Sequence, residues 1–162
     1  MKFEADEERG GLIVQLESER DWKALDALFL DAQGKGGDWL AKRFGVLVDE
    51  ADWDEFVVPE LSNHFTEQIE LARQTVEDAR RHITEDGVGT FRITREAGEA
   101  WYGVFNQARL ALEGRWKLSR LAAGKELENP EDVAPERLAA FLRSELYGRI
   151  QEHVFAYTFG LL

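Results

Sequence analysis

The sequence predicts a single α-rich α+β domain, residues 1–162, with four to six helices, three of them long, and a small two- or three-stranded antiparallel sheet. Apolar residues recur at helical spacing over most of the chain, the mark of amphipathic helices. Alternation at a period of two is confined to short stretches at residues 2–5, 11–16 and 90–93. No repeat, low-complexity tract or linker interrupts the chain. At this length one domain buries about 68–70% of the surface its unfolded chain exposes, so the core needs no covalent staples.

Lys2 to Ala5 and Gly11 to Leu16 read as two strands of a hairpin, joined through Asp6-Glu7-Glu8-Arg9-Gly10-Gly11. Leu12, Val14 and Leu16 share one face of the second strand. Ser18 is placed to cap a helix, with Glu19 and Asp21 near its positive end. Trp22, Leu25, Leu28, Phe29 and Ala32 form that helix's apolar stripe, and Gly34-Lys35-Gly36-Gly37 ends it. Asp38 opens a shorter helix reaching about Val48, with Leu40, Phe44 and Leu47 expected to face inward.

The longest helix is expected from Pro59, a residue suited to a first helical turn. Leu61, Phe65, Ile69, Ala72, Val76, Ala79 and Ile83 make its stripe, opposite Glu67, Glu70, Glu77 and Arg81. Asp86-Gly87-Val88-Gly89 stops it, and Thr90 to Ile93 reads as a third strand. Thr94 then caps a helix whose core stripe is Trp101, Val104, Phe105, Ala108 and Leu112. Leu127 to Ala134, with Asn129-Pro130, is expected as a loop. Pro135 begins the last helix, with a main stripe of Leu138, Leu142, Leu146, Ile150, Val154 and Tyr157, widened by Phe141, Tyr147, Phe155 and Phe159.

The composition narrows the chemistry. The chain has no cysteine, which excludes disulfides, thiolate metal sites and thiol catalysis, and suits a reducing, cytoplasmic setting. The net charge is −12, so nucleic acid and anionic membrane are not expected partners. The basic clusters at Arg80-Arg81-His82 and from Arg115 to Arg120 have acidic neighbours and read as ordinary helix-surface charge. The acidic start, Met1 to Glu8, is not a signal peptide, and Val154 to Leu162 is too short to span a membrane.

No metal or cofactor is expected. None of His64, His82 and His153 has Glu three residues before it, as a di-iron bundle needs. Asp78/His82 and Glu60/His64 are ordinary helical pairs. Ser18, Ser62, Ser119 and Ser144 lie in no nucleophile elbow. Lys35 is followed by Gly36 rather than Ser or Thr, so the glycine-rich turn is not a P-loop.

One polar stripe stands out. Tyr102, Asn106, Arg109 and Glu113 share a face of the Thr94-capped helix, away from its core stripe. Such a face either ties the helix to its neighbours by hydrogen bonds or presents a binding surface. Phe155 and Phe159 lie off the main stripe of the last helix and are the expected interface of a homodimer.

Thr94-Arg95-Glu96, Ala100-Trp101 and Asn106-Gln107-Ala108-Arg109-Leu110-Ala111-Leu112 together resemble the signature of an uncharacterised bacterial family, a domain of unknown function found in actinobacteria and other phyla. Tyr147 and Gln151, before an apolar end, are similar as well. Family members often read Leu-Gly-x-Arg where this chain has Leu112-Glu113-Gly114-Arg115. The resemblance implies no catalytic residues and no cofactor. Some members are encoded near the Clp protease adaptor, which implies a regulatory, protein-binding role; others are labelled transcriptional regulators, which sits poorly with the charge. The expected function is therefore a non-enzymatic protein-binding or regulatory module. The alternative is an enzyme or small-ligand binder with a pocket near Tyr102, Asn106 and Arg109.

Overall fold

The computed structural model describes residues 1–36, 38–48, 52–123 and 133–158. Strands β1 (Lys2–Ala5) and β2 (Leu12–Leu16) are followed by helices α1 (Glu19–Gln33) and α2 (Trp39–Val48). A π-helical turn, Trp53–Val57, leads directly into α3 (Val58–Arg80). Then come β3 (Gly89–Ile93), α4 (Arg95–Trp116), the single turn α5 (Ser119–Ala122) and α6 (Pro135–Thr158). This is the expected α+β class, mostly helical, and the third strand does join the hairpin.

The sheet is antiparallel throughout, in the order β1-β2-β3. Leu12 pairs with Ile93 and Val14 with Phe91, so the buried faces of β2 and β3 coincide. That follows from the period of two: one register puts all four side chains on the core side. Ser18 caps α1 by accepting from the Asp21 N–H, and Thr94 caps α4 by accepting from the Ala97 N–H.

α4 is the central helix, packed on α6, α1 and α3. Its Trp101 is fully buried and stacks on Phe91 of the sheet, with ring centroids 5.2 Å apart. Phe29 and Phe105 lie within 6.4 Å and 6.0 Å of the same ring, joining sheet, α1 and α4 in one aromatic core. The expected stripes of α1 and α4 are all buried.

The structure departs from the expected pattern in three places. On α6, Leu142 and Leu146 are 61% and 38% exposed, while Ala140, Tyr147, Ile150, Gln151, Val154 and Thr158 are buried. α6 lies close against α4 at its C-terminal end. A Cβ on Gly98 would stand 2.6 Å from Cβ of Thr158, and the buried face of α6 mixes Ile150 and Val154 with the hydrogen-bonding Tyr147, Gln151 and Thr158. Next, α3 ends at Arg80, leaving Ile83 outside the helix and exposed. Finally, α3 begins at Val58 behind a π-helical turn, whose Trp53 indole N–H donates to the Ala41 carbonyl at 2.9 Å. Gly37, the inward position of Leu47, the loop over 127–132, and Phe159 with the rest of the apolar end lie outside the described residues. Among the described residues no helix is long and apolar enough to cross a membrane.

Candidate functional site

The polar stripe of α4 is drawn in two directions. Arg109 Nη1 donates to Gln151 Oε1 of α6 at 2.8 Å, and Gln151 Nε2 donates to the Tyr102 carbonyl at 3.3 Å. Gln151 is buried and needs both partners. Glu113 turns instead to the start of α5, accepting from the N–H and hydroxyl of Ser119 at 2.8 and 2.9 Å. Asn106 is exposed. The Tyr102 ring, 38% exposed, lies 5.9 Å from that of Phe155. The structure thus brings Tyr102 and Arg109 together through Gln151, with Glu113 apart from them. None of the three cavities on this molecule described below is lined by any of the four.

The largest of these cavities lies on another side of α4, in a cleft bounded by α1, α2, α4 and α6, and has a volume of about 690 Å³. Its walls follow from local sequence. Gly34 ends α1 with φ +56°, its N–H donating to the Asp31 carbonyl at 3.1 Å. The chain then turns through Gly36 into α2, whose Trp39 and Arg43 are one helical repeat apart and share a face. A Cβ on Gly34 would lie 2.3 Å from the Trp39 indole nitrogen, and one on Gly114 of α4 would lie 2.8 Å from Arg43 Nη1. Two missing side chains therefore admit the indole and the guanidinium that α2 carries into the cleft.

α4 ends at the cleft with Arg115 and Trp116, the guanidinium 5.0 Å from the indole centroid. Lys117 caps the helix in the left-handed conformation. From α6, Arg137 Nε donates to the Trp116 carbonyl at 2.9 Å and Nη2 to the Lys117 carbonyl at 3.2 Å, satisfying carbonyls the helix leaves open.

The deepest charged group is Asp31. Arg143 donates to it from Nε at 2.7 Å and Nη2 at 3.2 Å, and the Tyr147 hydroxyl donates to the same carboxylate at 2.9 Å. Burial raises the Tyr147 phenol well above the usual range, and the adjacent carboxylate raises it further. The Asp31 carboxylate raises Arg143 too, chiefly by its hydrogen bond.

A smaller cavity of about 420 Å³ is bounded by α1, α2, α3 and α4, with Phe65, Ile69 and Gln107 on its walls. Behind it Gln107 Nε2 donates to Gln68 Oε1 at 2.8 Å, and Gln68 Nε2 lies 3.0 Å from His64 Nε2. A third, of about 250 Å³, lies between α1 and α3. Among the described residues no three histidines or carboxylates converge as metal ligands.

Sequence reasoning passed over Trp39, Arg43 and Arg143, and read Arg115 as surface charge. The signal available was the spacing of Trp39 and Arg43 on a short, mostly apolar helix. No local pattern could link it to Gly114.

The chain matches, over residues 4–157, the family described as Domain of unknown function (DUF2017). It belongs to that family. No curated protein and no solved structure matches it.

Proposed function

We propose that this domain is a non-enzymatic, cytoplasmic protein-binding module of regulatory type, and that the cleft between α1, α2, α4 and α6 is its recognition site. The observation that carries the reading is charge segregation. Among the described residues, Lys35, Arg43, Arg115 and Arg143 line the cleft against only Asp31 and Glu136, in a chain whose net charge is −12. A basic cleft on an acidic surface orients and accelerates the approach of a complementary partner. Indoles and arginines are also the side chains that most often dominate binding energy at protein interfaces.

The chemistry of the cleft supports binding over catalysis. Asp31, the carboxylate best placed to serve as a base, is committed to Arg143 and Tyr147. The cytoplasmic assignment draws on the absence of cysteine.

The test is partner capture by the immobilised full chain from an extract of the native organism, read by mass spectrometry. Arg43→Glu with Arg115→Glu should abolish capture, whereas Tyr102→Ala with Asn106→Ala should leave it intact. The reverse pattern would move the recognition site to the polar stripe of α4.

A further inference from the structure

We infer that the cleft takes an acidic polypeptide segment bearing one large apolar side chain, with its carboxylates at Lys35, Arg43 and Arg115 and its apolar side chain against Trp39 and Trp116. This rests on the protein-binding reading and names the partner's chemistry.

The first support is the state of the cations. Elsewhere on the molecule, Lys2, Lys23, Lys42, Arg73, Arg80 and Arg81 each hold a carboxylate within 3.2 Å, while Arg20, Arg120 and Arg149 are scattered cations with no ion pair among the described residues; what sets the cleft apart is that its free cations are gathered on one set of walls. Lys35, Arg43 and Arg115 make no ion pair among the described residues, although the chain has 32 acidic residues against 20 basic ones. Asp31 and Arg143 satisfy one another, so among the described residues three cations face the single carboxylate Glu136 across the cleft. Like charges gathered in this way outnumber the wall carboxylates and are stabilised by an anionic partner.

A second support is that the site is built rather than incidental. Gly34 and Gly114 leave the space that Trp39 and Arg43 occupy, which holds an indole and a guanidinium side by side on α2. Arg115 is braced over Trp116. Aromatic faces beside cations are what a mixed acidic and apolar ligand needs.

The third is a matter of magnitude. All three cations are exposed at the rim, where each ion pair contributes little because water and salt screen it. An anion held by charge alone would bind weakly. The remaining affinity must come from burying apolar surface, and Leu30, 69% exposed beside the indoles, extends the apolar area. A polypeptide supplies several carboxylates and an apolar anchor in one chain. A nucleic-acid strand would also offer planar groups and negative charge, but it runs beyond the cleft onto a surface whose charge repels it.

The probe is a fluorescein-labelled peptide Glu-Glu-Phe-Glu-Glu titrated with the full chain and followed by anisotropy. Saturable binding is expected, weakened about tenfold or more when Ala replaces the probe's Phe, as loss of a buried ring predicts. Arg43→Gln with Arg115→Gln should weaken it by a similar factor, and binding should fall as salt rises from about 0.05 to about 0.3 M. If that double variant loses its helical circular dichroism, Lys35→Gln, at an exposed position, must still weaken binding at every salt concentration. Overturning results are absence of saturable binding, indifference to these substitutions, equal binding of the Lys-Lys-Phe-Lys-Lys peptide, displacement by inorganic phosphate at matched charge, or preference for an oligothymidylate. A protein captured through the cleft that is not displaced by any acidic peptide would overturn this inference while leaving the protein-binding reading in place.

Discussion

Asp31 and Arg143 stand 112 residues apart in the chain and are joined by two charge-assisted hydrogen bonds, at 2.7 and 3.2 Å. This contact fastens the C-terminal end of α1 to the middle of α6 and fixes the floor of the cleft. Asp31→Ala would leave the guanidinium and the Tyr147 hydroxyl without their acceptor. The Arg143 side chain is 35% exposed, so water replaces part of what is lost. The expected cost is about 1–3 kcal/mol by urea denaturation, with Arg143→Met near the lower end.

Tyr147 makes the same contact sensitive to alkali. Its phenol is raised in the folded state, first by burial and then by Asp31, whereas an unfolded chain releases that proton at about pH 10. Above that pH the unfolded state binds fewer protons than the folded one, so stability falls as pH rises. The contribution is complete below about pH 10 and is lost above it. Absorbance of tyrosinate near 295 nm should show one of the chain's three tyrosines ionising only as circular dichroism is lost. Tyr147→Phe should abolish that late component.

Trp101 offers a test of the core. The side chain is fully buried, and its indole N–H has no hydrogen-bond acceptor among the described residues. Trp101→Ala should cost about 3–5 kcal/mol, the usual range for removing a large buried ring. Trp101→Phe keeps the stack on Phe91 and removes the unpaired donor, so it should cost much less, about 1 kcal/mol. Equal losses in the two variants, measured by denaturant titration, would show that the indole N–H is satisfied.

Gln68 and Gln107 are both buried and joined at 2.8 Å across α3 and α4. Gln107→Leu strands the Gln68 carbonyl oxygen and should cost about 1–3 kcal/mol. The double variant Gln68→Leu with Gln107→Leu removes both polar groups and should recover part of that loss. A double-mutant cycle reads the coupling directly; additive losses would show that the two amides act independently.

Much of the fold is legible in the chain because its signals are local. Period-two alternation placed β2 and β3, Ser18 and Thr94 announced two helix starts, and the stripes of α1 and α4 fell on the buried positions. The expected stripe of α6 holds at Ile150 and Val154 but not at Leu142 and Leu146, because leucines and polar residues both recur there at helical spacing. Which of two such faces turns inward depends on the neighbouring helix, here α4, whose Gly98 lies against Thr158. The tie of Arg109 to α6 was foreseen as one use of the polar stripe, but its partner Gln151 belongs to another helix.

The sequence by itself determined the α+β class, the central helix with its buried Trp101, and the absence of thiol chemistry, because periodicity, capping and composition are properties of neighbouring residues. Only the tertiary structure decided where the cations gather. Lys35, Arg43, Arg115 and Arg143 come from four separate stretches of chain, each with acidic residues nearby in sequence, and each taken alone is ordinary surface charge. Packing turns those acids elsewhere and opens two glycine gaps beneath Trp39 and Arg43. A cleft is a relation between helices, and helical periodicity carries no information about which helix will stand opposite.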